Sequence, residues 1–198
     1  MDQDPVVIVG AKRTPMGGFQ GDLSSVSAPE LGTHAIKSAL EDAGLGADQV
    51  DEVIMGLVLP AGTGQAPARQ ASRHAGIPDE AGATTINKVC GSGMKAAMLA
   101  HDGLLLGNAT VVVAGGMESM TNAPYLLPNA RGGMRLGHGQ VKDHMFLDGL
   151  EDAYEEGRAM GTFAEDTAEK YQFTREAQDA YAIESLKRAK AANEGDAF

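Results

Sequence analysis

Cys90 is the only cysteine in a chain of 198 residues, and its neighbours are what could give it chemistry. It lies between a short β-type run, Thr84-Thr85-Ile86, and Gly91-Ser92-Gly93, after which a helical pattern begins at about Gly93. A thiol at such a junction sits on a turn and faces the unpaired N–H groups of a helix start. Those donors stabilise an anion and favour the thiolate, the form that attacks carbonyl carbon. The glycines let the backbone turn and let a substrate approach closely. A lone cysteine without such neighbours is ordinarily a small buried hydrophobe. No CxxC partner and no His/Cys cluster at ligand spacing accompanies Cys90, so neither a redox nor a metal role is supported.

The elements around this junction read as a layered α/β domain. Val6-Val7-Ile8-Val9 is a continuous apolar run and predicts a first buried strand; Val53 to Leu59 predicts a second. The run at Thr84 to Ile86 is the third and Thr110 to Ala114 the fourth, ending in Gly115-Gly116. Between them lie three helices. The first opens at Ser27, where Ser27 and Glu30 have capping-box spacing and Pro29 falls in the first turn; Gly44 stops it. The second covers Pro67 to Ala75. The third follows Cys90, with Met94, Ala97, Met98, His101, Leu104 and Leu105 as its predicted inner face and Gly107-Asn108 as its end. Strands joined through helices imply parallel pairing with helices on both faces. Arg69, Arg73 and His74 read as structural or surface groups, and Lys12-Arg13 as a solvated pair or a subunit salt bridge rather than a phosphate site.

Beyond Met117 the pattern changes. Residues 117 to 161 are rich in Met, Gly, Asn and Pro with little sustained periodicity, which predicts a functional or assembly loop. Arg131, Arg135, His138, Lys142 and His144 form a diffuse basic stretch that suits either anionic phosphates or an acidic neighbour. Helix returns before Ala168-Glu169-Lys170-Tyr171-Gln172-Phe173, with Thr162 or Thr167 as a cap, and again from Thr174, with Tyr181, Ala182, Ser185, Leu186 and Ala189 as its inner face.

Composition sets outer limits. Hydrophobic residues make up 43% and the formal net charge is −11, which argues against nonspecific binding to nucleic acid or an anionic membrane. No apolar run is long enough to span a bilayer, the N-terminus is unlike a signal or transit peptide, and one cysteine suits a reducing compartment, so a cytoplasmic location is expected.

The stretches NKVCGSGMKAAMLA and VVVAGGMESMTNAPYLLP resemble the thiolase family, and the resemblance runs from Val6 through VGAKRTPMGGFQGDL to RAMGTFAEDTAEKYQFTREAQDAYAIESLKRA. It implies a thiolase-like α/β layered fold, with residues 1–117 as the N-terminal core, 118–198 as an incomplete loop domain that covers the site and joins subunits, and the C-terminal thiolase domain absent. It implies that Cys90 is the acylated nucleophile of an acetyl-CoA C-acetyltransferase, with CoA and acyl-CoA as partners, no cofactor, and a homodimer or homotetramer. Met160 matches the family's acyl-pocket methionine, and Leu150 falls near its pantetheine-contacting leucine, one residue off the expected spacing. Ala159 stands where short-chain members carry histidine. The family's second cysteine, catalytic histidine and Asn-Glu motif have no counterpart here. That departure leaves a non-catalytic half-thiolase, needing a second chain or binding an acyl-CoA or a partner, as the alternative. Condensing enzymes of the ketoacyl-synthase or HMG-CoA-synthase type share the fold, but GMESMTNAPYLLP favours thiolase.

Overall fold

In a computed structural model, which describes residues 6–195, the strands and helices follow in the order the sequence predicts, with one exception. Helix α1 spans Ala28–Ala43. Its capping box is complete: Ser27 Oγ accepts the Glu30 N–H, and the Glu30 carboxylate accepts the Ser27 N–H at 2.8 Å. Such a cap stabilises the helix by about 1 kcal/mol. Gly44 ends it at φ 66°, a left-handed conformation that glycine adopts without a Cβ clash. Strand β1 (Glu52–Gly56), helix α2 (Pro67–His74), strand β2 (Gly82–Ile86), helix α3 (Ser92–Leu105) and strand β3 (Val112–Gly116) complete the core.

The sheet order is β2-β1-β3 and both pairings are parallel. Side chains alternate across the central strand. Val53 and Met55, with Leu57 beyond the strand, join Ile36 and Leu40 of α1 and Ala68 and Ala71 of α2 in one cluster. Ile54 points the other way, to Ala96 and Ala100 of α3. Helices therefore cover both faces, as the alternation of strands and helices predicts. Full burial of a side chain such as Ile36 or Val53 contributes roughly 1.5–3 kcal/mol.

The exception is the first run. Val6 to Val9 is not a strand; Val7, Ile8 and Val9 are exposed, Ile8 at 89%. β-type composition makes a strand only where a neighbour supplies hydrogen bonds, and this run pairs with none of the three strands of the sheet, β2-β1-β3. A second correction concerns α3. Its predicted inner face is largely outside, with Met94 exposed at 73% and Met98 and Leu105 also exposed; the buried positions are Ser92, Ala96 and Ala100. Small side chains face the sheet because the helix lies close to it.

Contacts divide the chain into two compact units, Met1–Gly149 and Leu150–Phe198. Within the first, the segment after β3 has two short antiparallel strands, β4 (Tyr125–Leu126) and β5 (Lys142–Asp143), and a π-helical turn over Phe146–Leu150 runs to its boundary. The second holds α4 (Met160–Tyr171) and α5 (Arg175–Glu194). Thr174 caps α5 by accepting the Ala177 N–H, as predicted, whereas α4 starts earlier than expected, without a side-chain cap. The predicted inner face of α5 is corrected too: Tyr181, Ala182, Ser185, Leu186 and Ala189 are exposed, and no described residue of α5 is buried. Within this unit no neighbouring element packs on that face, so amphipathic spacing alone leaves it open.

Candidate active site

The carboxyl ends of parallel strands are where α/β sheets place ligands, because the chain leaves the sheet there and loops gather. Three such exits adjoin here: Leu57 to Ala61 after β1, Asn87 to Cys90 after β2, and Met117-Glu118 after β3. Cys90 is exposed and lies one residue ahead of Gly91, the N-cap of α3. No side chain caps α3, although its first N–H, that of Ser92, is taken by the Val89 carbonyl at 3.1 Å.

The turn that carries the thiol is built by specific bonds. Asn87 Oδ1 accepts the Val89 N–H at 2.8 Å; Ser92 Oγ donates to the Val89 carbonyl at 2.6 Å and accepts the Lys88 N–H at 2.8 Å. Val89 is thereby held at φ 46°. A β-branched residue in that region costs on the order of 1–3 kcal/mol and persists only where its surroundings impose it. Glycines let α3 reach the strand ends: a Cβ on Gly56 would lie 2.6 Å from Ser92 Cβ, and Gly116 lies beside the Gly93 backbone.

Two acidic and imidazole groups fix the neighbouring exits. The half-buried Glu118 carboxylate accepts the N–H groups of Val58 and Leu59 at 2.8 and 3.0 Å. Burial pushes its carboxyl above the ordinary glutamate value, and the two backbone bonds pull it back in part. His144 is buried, at 4% exposure. Its Nε2 accepts the Ala61 N–H at 3.3 Å, which leaves the ring proton on Nδ1 to bond Asp148 at 2.5 Å. His144 thus belongs to an internal network and not to the basic surface stretch in which its sequence position placed it. Lys12 forms an ion pair within the chain, with Asp42 at 2.9 Å, rather than standing solvated or reaching another subunit.

Leu150 and Met160 belong to the second unit. Glu151 and Ala159 form an antiparallel bridge and the Asp152 N–H donates to the Arg158 carbonyl at 2.8 Å, so Leu150 and Met160 flank a closed loop of chain and lie beside one another. Leu150 is half-buried and Met160 is 41% exposed as the first residue of α4. Arg158 is held by Glu155, Asp166 and the face of Phe163, and the Glu155 pairing raises its pKa further. Sequence reasoning missed Asn87, Ser92, Glu118 and the role of His144. The signal available was weak: an asparagine two residues before a forced turn, and a carboxylate just past a strand ending in two glycines.

A cavity of about 520 Å³ lies between residues 12–19, Leu31 and Ala35 of α1, and residues 116–121, so of the three strand exits it shares only that of β3, Met117-Glu118. Cys90 does not line it, and the bonds around the thiol, not this cavity, mark the chemistry. Among the described residues no group of three His, Cys, Asp or Glu is placed to hold a metal ion, and no helix is long and apolar enough to cross a membrane.

A family model described as "Thiolase, N-terminal domain" matches residues 6–198. An acetyl-CoA acetyltransferase of Pseudomonas aeruginosa is 54% identical over 193 residues, 98% of this chain and 49% of the relative. Acetyl-CoA acetyltransferase 2 of Arabidopsis thaliana is also 54% identical, over 98% of this chain and 48% of its own length. Among solved structures, the Acat5 thiolase from Ascaris suum in complex with coenzyme A superposes with a TM-score of 0.91 at 43% identity, covering 96% of this chain and 49% of that one. The chain spans about half the length of the curated relatives it matches.

Proposed function

The chain belongs to the thiolase family, by its N-terminal domain, and on that premise we propose that it carries the nucleophile of an acetyl-CoA C-acetyltransferase. Cys90 attacks the thioester carbonyl of acetyl-CoA; a C–S bond forms to Cys90, the bond to the CoA sulfur breaks, and the thiol proton leaves with CoA. The acetyl group then passes to the α-carbon of a second acetyl-CoA, making a short 3-ketoacyl-CoA and freeing the thiol; the reverse sequence cleaves such a product. Splitting the condensation into two transfers gives ping-pong behaviour. The Cys90 backbone N–H serves the oxyanion of the first step. Coenzyme A thioesters are substrates here and no cofactor is part of the scheme.

The single observation that carries this reading is an exposed thiol held on a strained turn at the uncapped start of α3. Within the same reading, the motifs shared with the family assign Leu150 and Met160 as contacts for the pantetheine arm and the acyl group, residues 1–117 and 118–198 as core and loop domain, association into a homodimer or homotetramer, and a cytoplasmic setting. A base for the thiol proton and an acid/base for the α-carbon proton are needed besides Cys90. Among the described residues no hydrogen-bond partner of the Cys90 thiol fills the first role.

The second reading is a half-thiolase that turns over only with a second polypeptide. It is favoured by the outward face of α3 and the unpaired run at Val7 to Val9. Intact mass before and after incubation with acetyl-CoA, with Cys90→Ser as control, separates the two. Gain of one acetyl group, absent in the control, supports the nucleophile acting within this chain; no gain supports the half-thiolase.

A further inference from the structure

We infer that Glu118 and Asn87 are positioning residues for Cys90, linked to it across the three strand exits by hydrogen bonds. The inference rests on the reading of Cys90 as nucleophile. Glu118 leaves β3 and grips the next exit, accepting the Val58 and Leu59 N–H groups together. The Val58 carbonyl in turn accepts from Asn87 Nδ2 on the third exit, at 3.5 Å. Asn87 Oδ1 accepts the Val89 N–H, the bond that holds Val89 at its left-handed φ and turns Cys90 outward. Each member bonds the next, so displacement at Glu118 is felt at the residue before the thiol.

The geometry argues for more than a fold contact. Leu57 and Leu59 are buried and would hold the β1 exit without a charged group. A carboxylate placed there loses hydration. What it supplies that an apolar residue does not is a fixed, charge-assisted grip on two consecutive N–H groups, and hence a fixed Val58 carbonyl. Asn87 is exposed, so its two bonds are easily exchanged for water unless the Val58 carbonyl is held in place. His144, itself held by Asp148, accepts the Ala61 N–H of the same exit and adds a second hold. Small displacements of a reacting group cost rate steeply, which is why such support matters.

The test compares the chain with E118A, E118Q and N87A by three readouts: alkylation of Cys90 by iodoacetamide, acetylation by acetyl-CoA, and amide exchange at residues 57–61 and 86–94. Expected are alkylation rates lower by roughly tenfold in E118A and N87A, with E118Q between E118A and the unsubstituted chain, because its amide oxygen still accepts one N–H. Exchange should quicken at Val58, Leu59 and Val89 in E118A while α1 stays protected. Alkylation at the unsubstituted rate in E118A, with Val58 and Leu59 exchanging faster, overturns the inference. So does equal loss in E118A and E118Q with α1 unprotected, which is global loosening. If E118A does not fold, E118Q and N87A decide. Alkylation reports positioning even where acetyl-CoA acetylates nothing, so failure of the catalytic reading and failure of this one are distinguishable.

Discussion

Gly56 and Ser92 touch so closely that a Cβ on Gly56 would sit 2.6 Å from Ser92 Cβ and 2.9 Å from its carbonyl carbon. The end of the central strand thus bears directly on the first residue of α3, two positions after Cys90. Substitution Gly56→Ala must push backbone, because no flexible side-chain end is available to yield. Destabilisation of about 1–3 kcal/mol is expected from overpacking, together with slower alkylation of Cys90. Thermal unfolding and iodoacetamide kinetics check both; an alanine variant equal to the parent in both would show that α3 shifts freely.

Val89 offers the opposite case. It is 51% exposed and sits at φ 46°, so Val89→Gly removes strain while giving up little burial. The unfolded chain gains freedom and partly offsets this, leaving stability unchanged or higher by up to about 1 kcal/mol. The turn, however, loses its only stiff residue. Reactivity of Cys90 should fall while the melting temperature does not, a separation that no general weakening of the fold produces.

Much of the fold was legible from local pattern, because the signals that set it are local. Ser27, Glu30 and Gly44 define α1 within the helix itself, and Gly91-Ser92-Gly93 after Cys90 announces α3. What could not be read was which face α3 and α5 turn inward. In α3 the large residues Met94 and Met98 have the right spacing for a core, yet close approach to the sheet selects Ser92, Ala96 and Ala100. Val6 to Val9 has strand composition, but composition does not reveal whether a strand lies beside it. The site divides the same way. Cys90 stands out by its neighbours, whereas Glu118 and His144 act on backbone 60 and 83 residues away, a distance no short motif spans.

Two carboxylates should give stability profiles of opposite slope. Glu118 has a folded value raised by burial. Its favourable contribution is therefore complete below the unfolded value near 4.5 and is lost as the pH rises through the raised folded value. Compared with E118Q, the chain gains stability as the pH falls from neutral toward that range. Asp51 is lowered, first by the Val111 N–H and then by the Thr110 N–H. Its contribution is present above the unfolded value near 3.8 and disappears as the pH falls through the lowered folded value. Urea unfolding of E118Q and D51N across this range should show the two differences moving in opposite directions; parallel movement would contradict the assigned causes.

The outward face of α3 sets the last expectation. Met94, Met98 and Leu106 are exposed at 73%, 52% and 76%, and with exposed Leu105 they form an apolar stripe on one helix rather than scattered single residues. Contiguous apolar surface of that kind promotes association. The chain purified by itself should self-associate and bind a hydrophobic dye. Met94→Lys with Met98→Glu, at positions four apart on the exposed face, should reduce both without lowering stability, since neither methionine is buried and the new pair is of opposite charge. Light scattering and dye fluorescence against concentration are the measurements. A monomer that binds no dye before substitution would mean that this face is covered within the chain itself.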